Sequence, residues 1–241
     1  MSSMVDIVIP VHNEGENIKL ALSEIHSKTD INFNINIVYD FDEDDTIEPA
    51  IKTSQKLGFK IDFLKNIYGR GVSGAIRTGL EATSAPYVIV TMADLSDPAQ
   101  VMNEMYRKAV EDGADLVCAT RYSCGGRQIG GPFVKKILSR LAGLSLNFLT
   151  GIPTHDITNS FKLYSRKVLK AVTIESRLGF ELGMELTLKA YFMGFKIAEV
   201  PTVWHDRRHG KSRFKVLKWL PAYLKWYFFA IRKAFFSKKQ E

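Results

Sequence analysis

The sequence has 241 residues, of which 46% are hydrophobic and 24% are charged, with a formal net charge of +7. This composition supports one large domain with a complete core and excludes a disordered chain. Eleven Lys and Arg residues, against two acids, lie between His205 and the C-terminus. That basic segment indicates an anionic partner: phosphate, a membrane surface or nucleic acid.

The cysteines and the N-terminus indicate the cellular setting. Cys118 and Cys124 match no metal or redox spacing, and so few cysteines are typical of a reduced, cytoplasmic protein. The N-terminus lacks a basic region followed by a long apolar stretch, so no signal peptide is predicted.

Apolar, β-branched stretches alternate with helical patterns along the first half of the chain. Strands are predicted at 5–11, 35–40, 60–66, 86–93 and 114–122, and helices at 13–27, 46–57, 73–83 and 99–112. This alternation predicts βαβ units and a mostly parallel sheet covered on both faces. Later elements are a Gly-rich loop, helices at 132–149 and 181–193, strands at 159–166 and 195–204, a basic loop and an aromatic-rich helix.

Ligands of open α/β sheets bind beyond the carboxyl ends of the strands. Five segments are therefore expected at one edge: 11–14, 40–45, 66–73, 94–97 and 121–127. Their mixture of acids, glycines and arginines suits a nucleotide diphosphate.

One of these segments, GRGVSG at 69–74, matches the G-x-G-x-x-G pattern of dinucleotide-binding proteins. Asp94 follows Gly74 by twenty residues, at the end of the next strand. An oxidoreductase is one interpretation, but two strand–helix units precede the motif and the bulky Arg70 occupies its turn. The glycines could also simply permit a tight turn.

Eight segments taken together favour another interpretation. They are IPVHNEGENI, VYDFDEDDT, GRGVSGAIRTGL, MADLSDP, TRYSCGG, HDITNSFKLYSR, GFELGMEL and EVPTVWHDRRHGKSRF. In this order they resemble the family 2 glycosyltransferases of the GT-A fold, and the later ones resemble the polyprenyl- or dolichol-phosphate mannose synthase group. The resemblance covers about residues 5–215. It implies an α/β nucleotide-diphospho-sugar transferase domain over 1–213, with a mostly parallel central sheet flanked by helices, and a basic, aromatic amphipathic helix over 214–241.

The resemblance also implies a site, in which Asp94, Arg121 and Arg207 are catalytic. The residues implied to bind the nucleotide sugar are Pro10, His12, Glu14, Asp40, Asp42, Gly69, Arg70, Gly71, Ser73, Met92 and Ala93. By contrast, Glu43, Asp44 and Asp45 are expected to form a solvated turn. Glu185 either lines the sugar pocket or makes a buried structural hydrogen bond.

The expected cofactor is Mg²⁺ or Mn²⁺, which would neutralise the donor diphosphate. Met92 stands where the family usually has a second acid, and a thioether is a poor ligand for a hard ion. Asp94 is therefore the one metal-ligating acid at the motif itself, with Ser96 and Asp97 as neighbouring candidates. The alternative is that Asp94 caps the helix that follows.

The acceptor side is rich in arginine. A lipid monophosphate is already anionic near neutral pH, so it needs charge compensation and no general base. The planar guanidinium suits phosphate oxygens. The candidates for the acceptor phosphate are Arg121, Arg127, Arg207 and Arg213.

The C-terminal segment 219–236 is apolar and aromatic but interrupted by three cations, so a transmembrane helix is not predicted. A heptad step places charges along one side of a helix. The residues in this heptad are Lys211, Lys218, Lys225, Arg232 and Lys239. The pattern predicts an interfacial helix on an anionic membrane, with packing on its own domain or a partner subunit as the alternative.

The leading hypothesis is an inverting transfer of sugar from a nucleotide donor to a polyprenyl-phosphate-type acceptor, at the cytoplasmic face of a membrane. The expected partners are the nucleotide sugar, a lipid-phosphate or glycan acceptor and the anionic surface, and a homo-oligomer stays open. Nucleic acid is not expected, because no recognition motif accompanies the charge. Two alternatives remain: a transferase of the same fold acting on a glycan hydroxyl in polysaccharide or lipopolysaccharide assembly, and a non-catalytic sugar-nucleotide-binding scaffold.

Overall fold

The computed structural model of the chain describes residues 4–207 and 216–237. Its elements in chain order are β1 (Val5–Pro10), α1 (Gly15–Lys28), β2 (Phe33–Tyr39), α2 (Ile47–Leu57), β3 (Ile61–Lys65), α3 (Val72–Ala82), β4 (Tyr87–Val90), α4 (Val101–Val110), β5 (Leu116–Thr120), β6 (Arg127–Ile129), α5 (Phe133–Thr150), β7 (Lys162–Ser165), α6 (Arg166–Ala171), α7 (Glu181–Phe192), β8 (Ile197–Pro201), β9 (Val203–His205) and α8 (Val216–Ser237).

Seven strands form the central sheet, in the order β3-β2-β1-β4-β7-β5-β8. β1 pairs in parallel with β2 and β4, and β5 pairs in parallel with β8. Only β7 runs antiparallel to its neighbours β4 and β5. The sheet is therefore mostly parallel, as predicted, and the carboxyl ends of β1, β2, β4 and β5 share one edge.

Helices cover both faces of the sheet, which explains why β1 is buried along its whole length and reads as a continuous apolar run. On one face, Ile18 of α1 and Met102 of α4 belong to the first core cluster. On the other face, Leu80 of α3 and Leu186 of α7 belong to the second. A third cluster, which includes Trp226, joins α8 to α5 and α7.

Three local predictions were wrong. The stretch 195–204, expected as one strand, is divided: β8 stays in the central sheet, while β9 pairs with β6 in a separate two-stranded sheet. The strand β6 lies in what was expected to be a Gly-rich loop, and α6 was not anticipated. The backbone N–H of Thr202 donates to the carbonyl of Thr120, which keeps the chain beside β5 up to this residue. The chain leaves the central sheet only after Thr202.

The close packing of α3 against the sheet depends on Gly79, where an added Cβ would meet side-chain carbons of Val8 and Val38. These β-branched side chains have little rotamer freedom to move aside. We predict that Gly79→Ala lowers the free energy of unfolding by about 1–3 kcal/mol through overpacking. Urea unfolding measures this. Ala82→Ser, on an exposed position of the same helix, is the control and should stay within about 0.5 kcal/mol of wild type.

Candidate active site

A cavity of about 740 Å³ opens at the carboxyl edge of the central sheet. One end is polar and is walled by the loops that follow β1, β2, β4 and β5. The other part, which we call the apolar arm, is lined by side chains of α5, α7 and α8, most of which are apolar. The edge predicted from strand ends is therefore the edge that carries the cavity.

Most of the predicted site residues lie in the cavity wall. They are Pro10, His12, Glu14, Asp40, Arg70, Gly71, Met92, Ala93, Asp94, Arg121 and Arg207. These side chains come from segments up to 193 residues apart, as the hydrogen bond between Glu14 and Arg207 illustrates. The topology thus assembles the polar end from separate loops.

Four predicted residues do not lie in this wall. Asp42 is on the surface, where its carboxylate lies 2.5 Å from the Lys65 ammonium. Ser73 is buried and donates to the carbonyl of Ser176 at 3.2 Å. Arg127 is exposed at the start of β6, and the Gly69 carbonyl accepts from the Asn66 side chain at 2.7 Å. Arg213 lies outside the described residues.

Asp40 holds two loops together at the polar end of the cavity. One carboxylate oxygen accepts from the Asn66 side chain at 2.7 Å and the other from the backbone N–H of Gly71 at 3.0 Å. The His12 ring lies 3.6 Å from this carboxylate and meets Phe41 edge-on. The Arg70 guanidinium lies 5.5 Å from the centre of the Phe41 ring. This end therefore combines an acceptor, cations and an aromatic face.

Asp94 does not cap a helix, because α4 begins at Val101 without a side-chain cap. One of its carboxylate oxygens accepts from the backbone N–H of Ser96 at 3.1 Å and from the Ser96 hydroxyl at 2.6 Å. Leu95 takes a left-handed conformation, with φ of 59°, in the turn that these bonds close. The other oxygen lies 3.4 Å from Arg207. Asp94 is thus held rigidly, with one edge toward the cavity.

Asp97 occupies a deeper position. Its carboxylate accepts from the side chains of Asn159 at 3.3 Å and Thr202 at 3.4 Å. Burial raises the pKa of Asp97 to about 7. A carboxyl that is partly protonated near neutral pH is a weak metal ligand, because metals bind the deprotonated form.

Within residues 4–207 and 216–237, no group of three His, Cys, Asp or Glu side chains could hold a metal ion by itself. Mg²⁺ commonly uses one or two carboxylates and completes its shell with substrate phosphates and waters. The donor set here, with the Asp94 carboxylate at the motif, fits an ion that binds together with a diphosphate. It does not fit a preformed all-protein site.

Arg121 has a structural partner that the sequence did not reveal. Its guanidinium donates to both oxygens of Asp156, at 2.6 and 2.9 Å, and to the Thr158 hydroxyl at 3.1 Å. Both charged side chains are buried. Burial alone would raise the pKa of Asp156, but the charge and hydrogen bonds of Arg121 hold it below its ordinary value. Arg121 reaches the cavity wall, but much of its hydrogen-bonding capacity serves this pair.

Lys135, which sequence reasoning missed, lies in the cavity wall near the start of α5. Burial and the nearby charge of Arg121 lower its pKa to about 8, partly offset by Asp94 and Asp206. Positive charges that disfavour one another in a half-buried pocket indicate a site for an anion. The sequence alone does not single out Lys135 as part of an anion site, because α5 contains other cations.

Glu185, in contrast, has the structural role. Its carboxylate accepts from the backbone N–H groups of Glu175 and Ser176 at 2.7 and 2.8 Å, and from Lys189 at 2.6 Å. It does not line the cavity. The expected solvated turn is wrong for Asp44, which is buried. Its carboxylate accepts from the backbone N–H of Asn13, and that of Asp45 accepts from the backbone N–H of Gly15, so both join this turn to the loop after β1.

The apolar arm has walls from three helices. Its lining residues include Leu138, Leu141, Met184, Trp219, Leu220, Tyr223 and Leu224. The inner face of α8 packs on the domain through Trp226, whose indole N–H donates to the Ser176 hydroxyl at 3.0 Å. The predicted C-terminal helix therefore exists and packs on its own domain.

The outer faces of α5 and α8 expose large apolar side chains beside this arm. The most exposed are Phe133, Val134, Leu141 and Phe148 of α5, and Phe228, Phe235 and Phe236 of α8. Lys218, Lys225 and Arg232 of the predicted heptad are exposed too, while Lys211 and Lys239 lie outside the described residues. In the part of the chain that the structure covers, no helix has the length and apolar character needed to span a membrane.

Comparison with known proteins agrees with this geometry. The family model described as "Glycosyl transferase family 2" matches residues 6–173. The chain is 28% identical over 216 residues to a dolichol-phosphate mannosyltransferase of Pyrococcus furiosus, covering 88% of this chain and 59% of that protein. It is 28% identical over 228 residues to a polyprenol monophosphomannose synthase of Mycolicibacterium smegmatis, covering 88% of this chain and 85% of that protein.

Solved structures with the same fold include glucosyl-3-phosphoglycerate synthase from Mycobacterium tuberculosis. Its complex with Mn²⁺, UDP and glucosyl-3-phosphoglycerate has a TM-score of 0.68 at 18% identity, covering 97% of this chain and 80% of that one. Its complex with Mg²⁺ and UDP has a TM-score of 0.67 at 17% identity, covering 97% of this chain and 79% of that one. The predicted GT-A fold is confirmed.

The buried pair of Arg121 and Asp156 yields a stability prediction. Asp156→Ala should lower the free energy of unfolding by about 3–5 kcal/mol, because it leaves a buried guanidinium without its carboxylate. Since the pKa of Asp156 is lowered in the folded state, wild type should have this stabilisation at neutral pH and lose it as the pH falls through that lowered pKa.

Urea unfolding as a function of pH tests this prediction. Asp112→Ala is the matched control, since Asp112 pairs with Lys108 on the surface and exposed pairs contribute little. Equal, small effects of the two substitutions would contradict the prediction.

Proposed function

Because this chain belongs to glycosyl transferase family 2 and is a glycosyltransferase, we propose that it moves a sugar from a nucleotide-sugar donor to a polyprenyl-phosphate-type acceptor. The observation that carries the proposal is the two-part cavity: a polar end beside an apolar arm. An amphiphile with a phosphate head and a hydrocarbon tail matches both parts. The names of the two relatives support the same acceptor class.

The donor occupies the end near Asp40, and its diphosphate lies toward Asp94. Asp94 would hold a divalent ion there together with the diphosphate, and such an ion would supply positive charge for the leaving group. Ser96 keeps the Asp94 carboxylate in place, with its hydroxyl 2.6 Å away. Met92 lies in the same wall and contributes apolar contact where the family usually has a second acid.

The acceptor phosphate lies between the donor and the apolar arm, near Lys135 and Arg207. A phosphate oxygen attacks the anomeric carbon of the sugar while the bond from that carbon to the donor phosphate breaks. The nucleoside diphosphate leaves with the bonding electrons, and a single displacement of this kind inverts the anomeric centre. No proton has to be removed, because the attacking oxygen is already anionic.

A glycan hydroxyl is the competing acceptor, and it would need a general base. Asp97 lines the cavity and has a pKa of about 7, but one of its carboxylate oxygens already accepts from Asn159 and Thr202. Most of the side chains that α5, α7 and α8 contribute to the wall are apolar, which suits a hydrocarbon better than a glycan. These two observations favour the lipid phosphate.

We also propose that the protein lies peripherally on the cytoplasmic face of the membrane, through the exposed faces of α5 and α8. Aromatic side chains there can enter the interface while Lys218, Arg232 and neighbouring cations meet anionic headgroups. The same two helices line the apolar arm, so a polyprenyl chain bound in the arm would lie beside this membrane-facing surface.

Lys135 provides the test of the acceptor site. Lys135→Met should raise the KM for a polyprenyl phosphate about ten- to a hundredfold, since a charge-assisted bond to the phosphate is lost, and should change the donor KM little. Arg140→Met is the matched control, because Arg140 is exposed on the same helix. Equal effects on both substrates would place Lys135 at the donor diphosphate instead.

The same lysine predicts a pH dependence. Its pKa is lowered to about 8, and an ammonium keeps its charge only below its pKa. The acceptor KM of the wild type should therefore rise as the pH increases through about 8. Lys135→Arg, which stays charged, should remove this rise. A pH profile that is the same in both proteins would contradict the role.

The membrane surface is tested by flotation with vesicles that contain anionic lipid. The double variant Phe148→Ser/Phe228→Ser should bind at least about tenfold more weakly, because burying a Phe contributes about 1.5–3 kcal/mol. These side chains are 87% and 62% exposed, and Val110, 52% exposed on α4, supplies the control Val110→Ser. Unchanged flotation of the double variant would show that the membrane contact lies elsewhere on the protein.

A further inference from the structure

Arg207 lies between two carboxylates, Glu14 of the loop after β1 and Asp94 of the loop after β4. One of its terminal nitrogens is 2.7 Å from a Glu14 oxygen and 3.4 Å from an Asp94 oxygen. The side chains of Glu14 and Arg207 are each 17% exposed and that of Asp94 is 19% exposed. All three are therefore only partly hydrated, and their mutual attraction exceeds that of charges on an open surface.

Both oxygens of Asp94 have a donor in this arrangement. Ser96 donates to one, at 2.6 Å from its hydroxyl, and Arg207 lies beside the other. With Met92 in place of the second acid, the local charge of Glu14, Asp94 and Arg207 sums to one negative charge. A free divalent ion therefore has to compete with Arg207 for the Asp94 carboxylate.

We infer that Arg207 is the counter-ion of Asp94 while the site is empty. A divalent ion displaces Arg207 from Asp94 only when that ion arrives with the donor diphosphate. The negative charge of the diphosphate attracts both the ion and the displaced guanidinium. Nucleotide and ion therefore bind with strong mutual dependence, and by linkage each raises the affinity of the other by the same factor. The inference rests on the proposed function for the identity of Asp94 as the metal ligand.

The displacement also gives the order of events in the site. While Arg207 pairs with Asp94, it holds the loop after β9 against the loop after β4. Once the ion and the donor have bound, its planar fork is available to phosphate oxygens nearby. The acceptor then meets one more cation, in addition to Lys135, in the loaded state.

Binding of Mn²⁺ to the full chain, followed by electron paramagnetic resonance of the free ion, tests the inference without an activity assay. Wild type should bind Mn²⁺ weakly alone and much more tightly with saturating UDP or GDP. Arg207→Ala should bind Mn²⁺ alone about five- to tenfold more tightly than wild type, because the competing ion pair is gone. Its further gain on adding nucleotide should shrink.

Two controls make the result specific. Arg70→Ala removes the same charge from the same cavity, but Arg70 faces Phe41 and not Asp94, so free Mn²⁺ should bind as in wild type. Asp94→Asn in the Arg207→Ala background should abolish the gain. Unchanged Mn²⁺ affinity in Arg207→Ala, or an equal gain in Arg70→Ala, would overturn the inference. Either result could accompany normal sugar transfer, whereas a failure to transfer sugar to any lipid phosphate would contradict the proposed function alone.

Discussion

The ion pair between Arg121 and Asp156 is the contact on which the shape of the cavity depends. It joins the end of β5 to the loop before β7, with both charges removed from solvent. Removal of either partner would leave an uncompensated charge in a region of low polarizability, so the two loops are strongly coupled. The same loop carries Asn159, whose side chain donates to Asp97 and to the carbonyl of Ala119. This part of the cavity wall is therefore a connected hydrogen-bonded unit.

The position of β7 extends this coupling into the sheet. Because β7 runs antiparallel between β4 and β5, the loop before it reaches the same edge as the loops after those two strands. Lys162, in β7, is fully buried, and its ammonium donates to carbonyls of the 157–159 loop. One reversed strand thus places Asp156, Thr158 and Asn159 beside Asp94. A sheet with only parallel strands would have left this loop at the opposite edge.

The alternation of strands and helices, and the residues that end each strand, could be predicted from the sequence. Asp40 and Asp94 both end buried apolar runs, and the rule for parallel sheets placed them at one edge correctly. Contacts between residues that are distant in the sequence could not be predicted. Arg121 reads as a phosphate ligand in isolation, and its carboxylate partner lies 35 residues away on a different loop. Lys135 resembles the other cations of α5, and only the packing of that helix places it in the cavity wall. The division of 195–204 likewise depends on pairing with β6, which has only three residues.

The central claim is that the acceptor is a phosphate carried on a polyprenyl chain. The most direct measurement is the transfer of radiolabelled sugar from a panel of UDP- and GDP-sugars to vesicles that contain a polyprenyl phosphate, with the corresponding polyprenol and a soluble glycan as parallel acceptors. The account predicts a lipid-extractable product with the phosphate-bearing lipid and none with the alcohol, since only the phosphate is anionic without a base. Efficient transfer to the polyprenol or to the glycan would contradict it.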